Sequence, residues 1–377
     1  PPHRRPPATA LNVSARAGGG ATGELHHPKG RHRQVPIGMF HLRKKSIDDL
    51  LRGTYLELLR KAGAEVLSSK GRSLETFGAA LELTDPRCRL SRSIGRSRLF
   101  SALGEFLWYV SGSNSIDQIE YYIRGYSEFS DDPDRKTANG AYGPRIFSVV
   151  DGFELSQWRN VMSRLKNPKS RETRNAVIVI PKPRDFIADT KDRPCTCSLQ
   201  FVIRRNRLHM HVHMRSNDAY FGMPHDFFSF TMLQELAARE VGVGIGTYIH
   251  TVGSLHLYAD PEKLDHRPAA QKYIDEGLYS NTPMPPMPQG DQWTYLKHVL
   301  EAESEIRSGN LDFMPSESLP EYWLDLLSLL RIYGCSIHLQ GLDGAVRDKR
   351  VKSYLEGLHH REYDLYVLDR LQRTSAA

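Results

Sequence analysis

Apolar residues recur at helical spacing after Ser46, where Leu50, Leu51, Tyr55, Leu58 and Leu59 mark one face of a helix reaching to about residue 67. Ser46-Ile47-Asp48-Asp49 opens it like a capping box, and order is expected to begin there. Gly71-Arg72-Ser73 ends this helix, and a strand-like pattern follows over residues 76–83. A second helix is predicted over residues 97–110, a polar loop over 131–145, and a third helix over 155–165. The middle of the chain reads as strands: 175–180, then 198–204 and 207–215 as a hairpin around Arg205-Asn206. In the second arm Leu208, Met210, Val212 and Met214 alternate with His209, His211, His213 and Arg215. A helix over 226–241 and a strand over 247–258 follow. A proline-rich stretch at 281–290 reads as a linker, and residues 291–377 as helices, among them 323–332 and 364–371. The predicted class is α+β, a large mixed sheet covered by helices with a helical C-terminal extension.

With 377 residues and 40% hydrophobic content, the chain can bury a sizeable core in one or two domains. Its net charge of +7 is not spread evenly. Residues 1–46 hold nine Lys/Arg and one acid, so the remainder is close to neutral. Residues 1–45 are read as a disordered basic tail, 46–262 as the core, and 263–377 as linker and extension. A nucleic-acid arm is the less favoured reading of that tail. No stretch approaches the about 18 apolar residues of a membrane span. The opening Pro-Pro-His-Arg-Arg has no apolar run, and four cysteines cannot make a disulfide scaffold, so a cytoplasmic location is expected.

Cys195-Thr196-Cys197 lacks the second cysteine pair of a zinc site, leaving two buried structural thiols or a nucleophile at a strand entrance. A nucleophilic thiol needs nearby positive charge, for which Arg215 and Arg72 are candidates. The three histidines of the alternating strand fit a solvated sheet face or, less readily, a metal; no metal is expected. Arg215-Ser216-Asn217-Asp218 carries the donors a phosphate needs, or is simply a charged strand end. Gly242-Val243-Gly244-Ile245-Gly246 follows a helix and precedes a strand, the wrong order for a dinucleotide loop, and reads as a turn.

Taken in chain order, Arg72, Glu105-Phe106-Leu107-Trp108, Tyr142-Gly143, Arg174, Pro194-Cys195, Arg215-Ser216-Asn217-Asp218, Gly222-Met223-Pro224 and His256-Leu257-Tyr258 resemble the thymidylate synthase family over about residues 50–262. The resemblance implies that Cys195 is the nucleophile adding to C6 of a pyrimidine nucleoside monophosphate. It implies that Arg72, Arg174, Arg215 and Ser216 grip the phosphate, with Arg174 supplied across a homodimer. Glu105 would organise water and proton transfers, and Tyr142 would assist proton removal from C5. His256 and Tyr258 would bond the ribose 3′-hydroxyl, Asp218 would lie where nucleotide meets folate, and Tyr126 and Phe129 would line the folate side. The expected co-substrate is 5,10-methylenetetrahydrofolate.

Three departures redirect this expectation. Asp226 in Pro224-His225-Asp226 stands where the family has the asparagine that pairs with uracil, and an acidic side chain can accept from the cytosine amine. Thr196 replaces the histidine that usually follows the nucleophile, and the chain ends Arg-Thr-Ser-Ala-Ala without the family's apolar seal. The pattern is similar to the cytidylate hydroxymethylase branch, which hydrates the intermediate instead of reducing it. CMP, the substrate of members serving nucleoside-antibiotic synthesis, is favoured over the dCMP of viral members. A thymidylate synthase acting on dUMP, an RNA-binding regulator and a silent dimeric paralogue are the competing readings.

Overall fold

The structure, a computed structural model, describes residues 38–61, 65–68, 70–93, 98–149, 152–339 and 344–375. The basic tail up to residue 37, Ser97 at the head of the second expected helix, and the terminal Ala376-Ala377 lie outside these residues. In chain order the elements are β1 (Phe40–Lys44), α1 (Ile47–Leu59), β2 (Val66–Ser68), β3 (Gly71–Leu83), α2 (Leu99–Val110), α3 (Ile116–Tyr122), α4 (Tyr142–Phe147) and α5 (Gln157–Lys166). Then come β4 (Val177–Val179), α6 (Arg184–Ile187), β5 (Thr196–Arg204), β6 (Arg207–Asp218), α7 (Gly222–Val241), β7 (Gly244–Asp260), β8 (Leu264–Asp265) and α8 (Arg267–Glu276). Helices α9 (Trp293–Arg307), α10 (Glu321–His338), α11 (Gly344–Glu356) and α12 (Asp364–Ser375) form the C-terminal part.

Among the described residues the strands form one mixed sheet in the order β1-β3-β7-β6-β5-β4, with β2 on β3 and β8 on β7. The class is the α+β predicted. Ser46 caps α1, its hydroxyl accepting the Asp49 N–H at 3.2 Å. The β5–β6 hairpin turns at Arg205 and Asn206, both with positive φ, the backbone that a two-residue loop matching strand twist requires.

Three boundaries differ from the pattern. Strand β1 precedes Ser46 and pairs in parallel with Ala79–Leu83; its apolar content is only Phe40 and Leu42 between charged neighbours, too little to stand out. Helix α1 stops at Leu59, and Gly71–Ser73 is not its end but the start of β3, paired antiparallel with β2. The proline-rich stretch is no loose connection. The Met284 N–H donates to the Arg87 carbonyl at 2.8 Å and the Met287 N–H to Glu235 Oε1 at 2.9 Å, and both methionine side chains are buried.

Alternation of buried positions breaks on four neighbouring strands, at one level on β3, β7 and β6 and just beside that level at a bulge on β5. The step between buried residues is three instead of two at Thr76/Ala79 on β3, Val252/Leu255 on β7, Met214/Asn217 on β6 and Thr196/Leu199 on β5. An extra residue in a strand bends it and re-aims the side chains beyond. Gly78 takes φ +80° at this level, and at Gly253 a Cβ atom would lie 2.8 Å from the Arg215 carbonyl oxygen. Past the break, Asn217 turns into the core and Ser216, Asp218, His256 and Tyr258 take half-buried positions on the two central strands.

Helix α7 runs beneath those strands and is buried almost throughout. Its Glu235 pairs with the fully buried Arg89 and also holds the Met287 N–H, so one carboxylate ties α7 to two distant segments. Among the described residues no helix is long and apolar enough to cross a membrane.

Because a Cβ at position 253 meets backbone that cannot swing aside, Gly253→Ala is expected to cost about 1–3 kcal/mol of stability. The urea midpoint measures this, and a midpoint equal to that of the parent protein contradicts the close approach.

Candidate active site

Cys195 immediately precedes β5, and β6 fastens it in place. The Arg215 N–H donates to the Cys195 carbonyl at 2.9 Å, while its guanidinium donates to the Pro194 carbonyl through Nε (2.9 Å) and to the Arg193 carbonyl through Nη2 (3.0 Å). The thiol is half-buried. Burial pushes it up from its ordinary range; Arg215 opposes the rise, Asp226 adds to it, and Lys70 opposes it again. Of the two cations expected to favour a thiolate, Arg215 does so; Lys70 joins it, while Arg72 turns to Asp260.

Tyr142 opens α4, and its hydroxyl accepts the Thr196 N–H at 3.2 Å. Its ring packs against Tyr109 at 5.1 Å and stacks on Phe230 at 6.3 Å. Burial, reinforced by Cys195 and Asp226, pushes its phenol well above the ordinary value. Glu105 on α2 accepts from the Tyr109 hydroxyl at 2.9 Å through Oε1. Its Oε2 lies 3.3 Å from His225 Nδ1, outside hydrogen-bond geometry, and has no hydrogen-bond partner in the protein, which leaves capacity for a water. His225 Nε2 is 2.9 Å from the Ser101 hydroxyl.

Asp226, one turn into α7, is 8% exposed and accepts from Asn217 Nδ2 at 2.7 Å through Oδ2. Burial pushes its carboxyl well above the usual carboxylate range; Glu105 and Asp218 add to the rise, and the Asn217 amide opposes it. Its surroundings disfavour the ionised form.

The remaining predicted residues stand on β3, β6 and β7, after α3 and just before β4. The β6–β7 register sets Ser216 beside Ser254 and Asp218 beside His256. Ser216 Oγ is 3.5 Å from His256 Nδ1, whose ring sits edge-on to Tyr258 at 5.0 Å. Burial, with Asp218 and Cys195, pushes the Tyr258 phenol up to about 12. Burial alone would raise Asp218, but His266, His256 and the Tyr220 N–H hold it below its ordinary value. Arg72 Nη2 is 3.6 Å from Asp260 and its side chain is half-exposed. Tyr126 sits edge-on to Trp108 at 5.4 Å and to Phe129 at 6.2 Å, and Lys70 Nζ lies 4.5 Å above the exposed Phe129 ring. Arg174 is exposed just before β4, where its carbonyl accepts from Gln200 Nε2; no described contact joins its guanidinium to the Cys195 cluster.

Lys70, His225, Asn217 and His250 belong to this neighbourhood and were not singled out from the sequence. Asn217 and His225 lie inside quoted motifs, so position alone could have flagged them. Nothing local marks Lys70 or His250. Among the described residues no group of three His, Cys, Asp or Glu converges as a metal site.

The family profile described as thymidylate synthase matches residues 93–288. A deoxyuridylate hydroxymethyltransferase of Bacillus phage SP01 is 31% identical over 220 residues, 55% of this chain and 56% of that protein. The chain thus spans about half the length of this curated relative.

Since Arg215 opposes the rise of the Cys195 thiol, Arg215→Gln is expected to move that pKa further up and slow alkylation of Cys195 near neutral pH. Peptide mapping by mass separates Cys195 from Cys197, and an unchanged Cys195 rate contradicts the assignment.

Proposed function

Given that this chain belongs to the thymidylate synthase family, we propose that it is a one-carbon transferase that 5-hydroxymethylates a cytidine monophosphate, with 5,10-methylenetetrahydrofolate and water as co-substrates. The observation that carries this reading is the buried carboxyl of Asp226, which accepts from Asn217 and whose burial and acidic neighbours favour its neutral form. Cytosine offers an amine donor at N4 and an acceptor at N3. A carboxylic acid offers the complement, one acceptor and one O–H donor. The same single proton serves if it rests on N3 and the carboxylate accepts twice.

In this reading the Cys195 thiolate adds to C6 of the base and makes C5 nucleophilic. Methylenetetrahydrofolate supplies the electrophilic one-carbon unit. Tyr142 assists removal of the C5 proton, and the CH2–N bond breaks to release tetrahydrofolate and leave an exocyclic methylene. Glu105, whose Oε2 has no hydrogen-bond partner, places the water that adds to the exocyclic methylene, and Cys195 departs to leave the 5-hydroxymethyl nucleotide. The aromatic group of Tyr126, Trp108 and Phe129, with Lys70 above Phe129, suits a flat ring system bearing carboxylates, and so fits the folate. Arg72, Arg215 and Ser216 take the phosphate, His256 and Tyr258 the sugar, and Asp218 the nucleotide–folate border. The exposed Arg174 suits donation to a second copy in a homodimer. CMP is preferred to dCMP here, as in the CMP 5-hydroxymethylase of mildiomycin biosynthesis, and the setting is cytoplasmic.

A second reading keeps the hydroxymethylation and changes the base. The phage relative bears the name of a deoxyuridylate enzyme, which favours uracil. Asp226 weighs against it.

The test offers CMP, dCMP, UMP and dUMP separately with methylenetetrahydrofolate and weighs the products. A gain of one CH2O unit on a cytosine nucleotide is expected, and the same gain on a uracil nucleotide alone contradicts the base assignment. A gain of one CH2 unit, with dihydrofolate, contradicts hydroxymethylation. Asp226→Asn is expected to shift the cytosine-to-uracil ratio of kcat/KM by about tenfold or more towards uracil, and an unmoved ratio removes Asp226 from base recognition.

A further inference from the structure

Behind Asp226 a line of buried polar side chains runs into the sheet. Asn217 Nδ2 donates to Asp226 Oδ2 at 2.7 Å, Asn217 Oδ1 lies 3.0 Å from His250 Nε2, and His250 Nδ1 lies 2.9 Å from the Tyr248 hydroxyl. His250 and Tyr248 are fully buried and Asn217 nearly so. Burial drives the imidazole down to about 3, with His211 and His213 adding to the fall, so His250 is neutral and carries one ring N–H.

The direction of the chain follows from its far end. Among the described residues His250 is the hydrogen-bond partner of the Tyr248 hydroxyl. A buried O–H without an acceptor costs about 1–3 kcal/mol, so Tyr248 donates to Nδ1. The ring proton then sits on Nε2 and points at Asn217 Oδ1. The Asn217 amide group, with its oxygen occupied, must turn its N–H towards Asp226. Reversing the chain would leave the Tyr248 proton stranded.

This polarity matters because a neutral carboxyl alone is ambivalent. It can carry its proton on either oxygen, and by moving it can complement either pyrimidine edge. We infer that Tyr248, His250 and Asn217 act as a polarity lock that keeps Oδ2 of Asp226 an acceptor and places the carboxylic proton on Oδ1, so that Asp226 selects one base. The inference rests on Asp226 reading the base, and it makes these three positioning residues for specificity. Gly222 belongs to the same device: a Cβ there would lie 3.0 Å from Asn217 Nδ2 and 3.4 Å from Asp226 Oδ2.

The test measures kcat and KM for cytidine and uridine monophosphates in single variants of the full chain. Asn217→Leu and His250→Phe are expected to lower the cytosine-to-uracil ratio of kcat/KM by about tenfold, mainly through KM, in line with one lost orienting hydrogen bond. His250→Gln, whose amide N–H can still donate to Asn217, is expected to keep most of the ratio. Both substrates falling in step, with the ratio unmoved, overturns the lock. Should Asn217→Leu fail to fold, Tyr248→Phe removes the terminal donor and carries the same two outcomes. Asp226→Asn separates the layers. If it leaves the ratio unmoved, the base-recognition reading fails; if it moves the ratio while Asn217→Leu does not, the lock alone fails.

Discussion

The site depends on a break in alternation shared by β3, β7, β6 and β5. Along any one strand a three-residue step between buried positions would be a local irregularity. Aligned at one level on β3, β7 and β6, with the β5 bulge beside it, it bends the sheet and exchanges which residues face the core. Ahead of the break, β6 buries Met210, Val212 and Met214; after it, the same strand buries Asn217. The β6–β7 register carries the exchange onto both strands at once and sets Asn217 beside Leu255 and Asp218 beside His256, while the Asn217 side chain reaches the His250 ring. Gly253 lets the two backbones approach where the change occurs.

The exchange has an energetic consequence. It delivers the Asn217 amide to the buried His250 imidazole and Tyr248 phenol, which stand at regular inward positions of β7 ahead of the break. Each is stable there only because its neighbour satisfies it. Asp226 ends that line, against α7 and close to Glu105, where ionisation is opposed by both burial and a second acid. Arg215 does the opposite for Cys195, bringing positive charge to a buried thiol while its donors hold the strand entrance. Burial thus favours the neutral form of both neighbouring groups, but a second acid reinforces this at the carboxyl while Arg215 opposes it at the thiol.

Much of this was legible in the chain. The capping serine at 46, the turn at Arg205-Asn206 and the helix expected over 226–241 are local signals, and the folded protein follows them, with the helix starting earlier, at Gly222. Asp226 stood out as a departure because an acid replaces an amide. Features that depend on partners distant in sequence were not legible. Strict alternation reads correctly to Met214 and gives no hint that Asn217 faces inward. His250 looks like one more polar residue in a strand until the Asn217 side chain is brought within hydrogen-bond reach of it. Lys70 acquires meaning only when β2 and β3 bring it over Phe129. Strand β1 carries two apolar residues and depends on β3 for its pairing.

The claim on which base selection turns is that Asp226 is a neutral acid in the folded protein. Its carboxyl carbon, labelled with 13C and assigned by comparison with Asp226→Asn, reports this directly by NMR as pH is varied. The account predicts the protonated chemical shift at about pH 7, with titration only above the usual carboxylate range. An ionised signal there, with a midpoint near that of an ordinary aspartate, contradicts it.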